Sequence, residues 1–118
     1  LVVLPGGIPG VPNLKTNSKV QAMVKAQNDR GGYVAAICAG PTALGAFGVL
    51  ADKNATCYPG CEDQLMAKRH STEPVVVDGN VITSRGVGTA IEFALKLVEI
   101  LIDRQTADDL AEKIVYKR

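Results

Sequence analysis

Apolar and polar positions follow two rhythms along this chain, and the rhythm changes at each cluster of glycine and proline. Leu1-Val2-Val3-Leu4 is an unbroken apolar run too short for a helix, the pattern of a strand buried on both faces of a parallel sheet. Pro5 to Pro12, with three Gly and three Pro in eight residues, reads as a loop. From Asn17 or Ser18 to Asp29 the spacing of Val20, Met23, Val24 and Gln27 predicts a helix, Met23 lying in the core and Gly31-Gly32 supplying the stop. Tyr33 to Ile37 is again a short apolar run, and it breaks without a linker into Cys38-Ala39-Gly40, after which Pro41 opens an Ala/Leu-rich helix ending near Gly48 to Leu50.

The second half repeats the alternation. Asp52-Lys53-Asn54 is polar, Ala55 to Tyr58 predicts a short strand closed by Pro59-Gly60, and Cys61 to Lys68 predicts a short helix with Glu62 and Asp63 in its first turn. Val75 to Ser84 holds two β-branched runs around Asp78-Gly79-Asn80, the signature of a tight hairpin. Thr89 with Glu92 forms a capping-box pattern for a helix to about Ile102, whose expected buried stripe is Ile91, Ala94, Leu95, Val98 and Leu101 or Ile102. A second box from Thr106 to Asp109 predicts a last helix through about Val115. Strands alternating with helices argue for an α/β fold, a mostly parallel sheet with helices on both faces, in one domain spanning residues 1–118.

Composition removes several function classes. A net charge of +1, 21% charged residues, 4% aromatics and no Trp point away from nucleic acid and membrane surfaces. No apolar run approaches a membrane span, and three cysteines without a secretion signal favour reduced thiols in the cytoplasm. The buried-strand pattern at Leu1 to Leu4 suggests that neighbouring strands belong to a part of the protein outside residues 1–118.

In open parallel sheets, sites form beyond the carboxyl ends of the strands. Gly6-Gly7, Cys38 and the loop Ser84 to Gly88 should therefore share one edge. A cysteine on a strand-turn-helix elbow sits beside free amides and the positive end of the helix, where an anionic sulfur is favoured, and this makes Cys38 the candidate nucleophile. A small buried core cysteine is the competing reading, and residue type leaves both open. Gly6 and Gly7 lack the spacing and Lys-Ser/Thr ending of phosphate-binding loops. Cys57 and Cys61, four apart, have no second cysteine pair and His70 as the sole histidine, so neither a metal nor a cofactor is expected, and a disulfide is disfavoured in a reducing compartment.

Leu4-Pro5-Gly6-Gly7, the run Ala35 to Leu44 containing Ile37-Cys38-Ala39-Gly40-Pro41, and Asp78-Gly79-Asn80 through Thr83-Ser84-Arg85-Gly86 to Leu95 together resemble the ThiJ/PfpI superfamily, closest to its protein deglycase branch. The resemblance implies a flavodoxin-like fold of the class I glutamine amidotransferase type, of which residues 1–118 would be the C-terminal two-thirds. It implies Cys38 as nucleophile and oxidation-sensitive thiol, backbone N–H groups of Gly7 and Ala39 as oxyanion donors, and Gly6, Ser84 and Arg85 lining the pocket. For Arg85 a structural or solvated role stays open. The family's partner glutamate comes from an early helix that residues 1–118 do not contain, and His70 is better read as a solvated loop residue than as the family's histidine. Ala39 departs from the protease branch, which has His after the cysteine, and His70-Ser71-Thr72-Glu73 lacks the spacing of the amidotransferase pair. The implied activity is cofactor-independent glyoxalase or deglycase chemistry on a small 2-oxoaldehyde or a glycated protein, in a homodimer. The alternatives are a redox-responsive stress or chaperone protein and a thiazole-biosynthesis role, the last without residue-level support.

Overall fold

The computed structural model describes residues 1–118. In chain order the elements are β1 (Val2–Leu4), α1 (Gly10–Lys15), α2 (Ser18–Asp29), β2 (Val34–Ile37), α3 (Pro41–Ala46), β3 (Asn54–Ala55), β4 (Arg69–His70), β5 (Val75–Asp78), β6 (Val81–Ser84), α4 (Ala90–Leu101) and α5 (Arg104–Lys113). The main sheet runs β1-β2-β6-β5. β1, β2 and β6 are parallel, and β5 joins antiparallel through the expected hairpin, whose Gly79 has φ 58°. Asn80 ties that turn down by donating from Nδ2 to Asn28 Oδ1 and Gly32 O.

Alternation along β2 sorts the two cores. Val34 and Ala36 face α1, α2 and α3 and pack with Leu4, Val24, Leu44 and Leu50. Ala35 faces the opposite way, onto Ile82 of β6 and Phe93 of α4. With the first core the larger, the sheet sits between two helical layers, the flavodoxin-like α/β arrangement.

Several expectations change. The Pro/Gly loop contains α1, because Pro12 lies in its first turn, where a missing N–H costs no intrahelical bond, and Val11 is buried. In α2, Asn17 caps the helix by accepting from the Lys19 and Val20 amides, while Met23 is 53% exposed and not core. Of the strand expected over Ala55 to Tyr58, only Ala55 enters a ladder. The Thr56 N–H donates instead to Thr83 Oγ1, and the Tyr58 N–H to the carbonyl of Cys38. The helix expected over Cys61 to Lys68 is a single 3-10 turn, Glu62–Gln64, soon followed by Met66 in a left-handed conformation.

In helix α4 the expected stripe holds only in part: Leu95 is buried as expected, but Phe93 is buried too and Leu97 and Ile100 pack beside it, whereas Ile91, Ala94, Leu101 and Ile102 are exposed. Apolar residues on more than one face of Ala90 to Leu101 leave the burial direction undetermined by spacing. Neither capping box forms. Thr89 binds the loop before α4, Glu92 accepts from the Tyr116 hydroxyl, and α5 is capped by Asp103, which accepts from the Thr106 amide. No helix is long and apolar enough to cross a membrane.

Candidate active site

β2 ends at Ile37, and Cys38 leaves the sheet with φ 66°, a left-handed conformation rare for a residue with a side chain. Its backbone is held on both sides: the N–H donates to Ser84 O at 3.0 Å, and the C=O accepts from the Tyr58 N–H at 2.8 Å. Gly40 N–H closes the turn onto Ile37 O. A β-carbon at Gly40 would lie 2.7 Å from Leu4 O and 2.9 Å from Pro5 O, so only glycine lets β1 and the elbow approach this closely. The same holds at Gly6, which packs directly against the Cys38 side chain.

The half-buried Cys38 opens into a cavity of about 360 Å³. Its walls are the backbones of Gly6, Gly7 and Gly86 and the side chains of Ile37, Val87 and Ala90. The N–H groups of Gly7 and Ala39 donate to no acceptor in the chain. Apart from the Cys38 thiol, no ionisable or hydrogen-bonding side chain lines the cavity.

The three stretches expected to converge do so, through residues that differ in part from those expected. Gly6, Gly7 and Cys38 meet at the cavity, with buried Ala39 directly behind the sulfur-bearing residue. Ser84 and Arg85 do not turn their side chains into it. Ser84 continues the buried strand, its hydroxyl donating to Pro74 O at 2.6 Å and lying 2.7 Å from Thr89 Oγ1. Arg85 reaches sideways, from Nε to Cys57 O and from Nη1 to Thr72 O. Gly86, Val87 and Ala90 take their place at the wall. The signal for them was the strand itself: since β6 stays buried through Ser84, the chain emerges above the sheet edge only one or two residues later.

Cys57 is fully buried, and burial pushes its thiol up to about 11, with nearby Cys61 and Glu62 adding to the rise. The Gly60 N–H donated to both Glu62 oxygens holds that carboxyl below its ordinary range. His70 is not the solvated loop residue expected: it sits in β4 with Nε2 buried and unpartnered, and it does not line the cavity. No group of three or more His, Cys, Asp or Glu is placed to hold a metal ion. A second cleft, about 440 Å³, lies over α4 and α5 between Glu73, Glu92, Lys96, Arg104 and Arg118. Its cations are engaged with Glu99 and Asp108, and it contains no nucleophile.

The chain is similar to the Parkinson disease protein 7 homolog of Danio rerio, 45% identical over 120 residues covering 99% of this chain and 64% of that protein. It is 37% identical over 116 residues to the glutathione-independent glyoxalase DJR-1.2 of Caenorhabditis elegans, covering 97% of this chain and 61% of that one. The crystal structure of Drosophila melanogaster DJ-1beta matches with a TM-score of 0.92 at 41% identity, over 99% of this chain and 64% of that chain. The chain thus spans less than two thirds of these relatives' length. Its residues 1–100 match the model of the DJ-1/PfpI family, and the chain belongs to that family.

Proposed function

We propose that the chain carries the nucleophilic half of a cofactor-independent glyoxalase or deglycase site. The observation that carries this reading is the placement of Cys38, half-buried at a cavity floored by Gly6 and Gly7, with two unengaged backbone N–H groups beside it. The similarity to a glutathione-independent glyoxalase supports the substrate class. The sulfur, as thiolate, adds to the aldehyde carbon of a 2-oxoaldehyde, forming a C–S bond and an oxyanion that accepts from the Gly7 and Ala39 N–H groups. A base then moves the proton from the former aldehyde carbon to the adjacent carbon through an enediol. Water hydrolyses the resulting thioester, restoring the thiol and releasing a 2-hydroxy acid. None of the side chains that line the cavity is a carboxylate or an imidazole, so that base is not one of them. The physiological setting we propose is cytoplasmic and homodimeric.

The test follows lactate from methylglyoxal in the protein and in Cys38→Ser. Lactate is expected from the first and not the second, and formation that survives the substitution overturns the nucleophile. A second reading, redox sensing, draws on the same accessible sulfur, whose sulfinate oxygens would accept from the same amides. Selective gain of two oxygens at Cys38 under mild peroxide, without lactate from methylglyoxal, selects it over turnover.

A further inference from the structure

One aromatic ring stands beside this site without a role. Tyr58 is 51% exposed, yet its backbone N–H and C=O are both hydrogen-bonded. Its N–H donates to the carbonyl of Cys38 at 2.8 Å, and its own carbonyl accepts from Cys61 N–H at 3.0 Å. The residue before it, Cys57, is buried completely, and that residue's carbonyl accepts from Arg85 Nε. The backbone that carries the ring is therefore tied to the nucleophile's own peptide. One edge of the ring faces Gly86 across the room of a methyl group, a β-carbon there lying 3.5 Å from Cδ1 and 3.8 Å from Cε1, and Gly86 is itself a wall of the Cys38 cavity. On the same loop Val87, also a wall residue, is 92% exposed.

A single exposed aromatic is ordinary. What distinguishes this one is its place: its backbone is tied to the nucleophile's carbonyl and its half-exposed ring faces the outer side of the cavity wall. We propose that Tyr58 is a specificity-determining residue of the Cys38 site, its ring stacking on a flat apolar substituent of the substrate so that aryl 2-oxoaldehydes are favoured over methylglyoxal. The inference rests on Cys38 being the reactive residue. The cavity supplies the complement: its side chains are aliphatic and its polar groups are backbone amides beside the sulfur, so a carbonyl held at the base would leave an apolar tail along the Gly86-Val87 wall, which the Tyr58 ring faces from outside the cavity lining.

The experiment measures alkylation of Cys38 by iodoacetamide and by iodoacetanilide, which differ only in a phenyl ring, with peptide mapping to read Cys38 apart from Cys61. The ratio of the two rates is expected to fall about fivefold in Tyr58→Ala and in the bulkier Tyr58→Leu, and to stay within about twofold in Tyr58→Phe, which keeps the ring. An unchanged ratio in Tyr58→Ala and Tyr58→Leu overturns the role of the ring while leaving Cys38 as nucleophile. A Cys38 inert to both reagents in the unsubstituted protein overturns the nucleophile itself, and this inference with it.

Discussion

Gly6 lies so close to Cys38 that a β-carbon on it would stand 2.6 Å from Cys38 Cβ and 3.3 Å from its sulfur. Neither side can yield easily: Cys38 is held through its N–H and C=O, and the adjoining β1 is paired with β2 through Leu4 and Ala36. Gly6→Ala should therefore move the sulfur rather than be absorbed. We expect a loss of roughly 1–3 kcal/mol in urea unfolding from overpacking. The Cys38 alkylation rate should drop about tenfold or more from misplacement. Unchanged reactivity with unchanged stability would show that the contact is slack.

The backbone of Cys38 offers a separate measurement. At φ 66° any side chain is crowded by its own carbonyl, so the usual preference for alanine over glycine should reverse. Cys38→Gly is expected to be more stable than Cys38→Ala by about 1 kcal/mol, read from denaturation midpoints of the two variants. Equal stabilities, or alanine the better residue, would mean that the elbow relaxes out of the left-handed region.

What the sequence makes legible follows how local each signal is. The hairpin at Asp78-Gly79-Asn80 and the elbow at Cys38 are written in adjacent residues, with turn chemistry and β-branched flanks agreeing, and both form. The convergence of Gly6-Gly7, Cys38 and the loop after β6 follows from the parallel-sheet rule and needs no side-chain detail. Side-chain direction is where reading from the chain runs out. Ser84 looks like a pocket hydroxyl until the pairing of β5 with β6 places it beneath Pro74 O, and that pairing spans ten residues. Tyr58 looks like a strand residue because its neighbours are β-prone, but its N–H is taken by Cys38, twenty positions away. Helix α4 is apolar on several faces, so its buried side is chosen by the sheet it meets and not by its own spacing.

Thr89 is a hub that the capping pattern misassigns. Its hydroxyl oxygen accepts from the Gly86 N–H at 3.0 Å and the Arg85 N–H at 3.2 Å, and it lies 2.7 Å from the buried Ser84 hydroxyl. Thr89→Val keeps the shape and removes the oxygen, leaving both amides of the cavity-wall loop without an acceptor. A cost of about 1–3 kcal/mol is expected in chemical denaturation, together with faster hydrogen exchange at Arg85 and Gly86. Thr89→Ser, which retains the oxygen, should recover most of both. Exchange that stays slow in Thr89→Val would mean that the loop is held by something other than this hydroxyl.

Cys57 ties folding to alkaline pH. Its thiol is raised from an ordinary 9.0 to about 11, chiefly by burial and then by Cys61 and Glu62. Below pH 9 the thiol keeps its proton both folded and unfolded, so its contribution is fully present there and does not vary. Between 9 and about 11 the unfolded chain releases the proton while the folded one retains it, so stability must fall as pH rises through that window. With allowance for solvent screening of the neighbouring charges, the loss attributable to this group is on the order of 1–2 kcal/mol. Lysines and tyrosines also titrate in this range, so the informative quantity is the difference in slope between the protein and Cys57→Ala in urea unfolding at pH 8, 9, 10 and 11. The variant starts less stable, having lost a buried side chain, and should decline less steeply with pH. Parallel slopes would mean that Cys57 ionises as easily in the folded chain as in the unfolded one, and that the segment holding Tyr58 against the Cys38 elbow opens to solvent far more readily than its hydrogen bonds suggest.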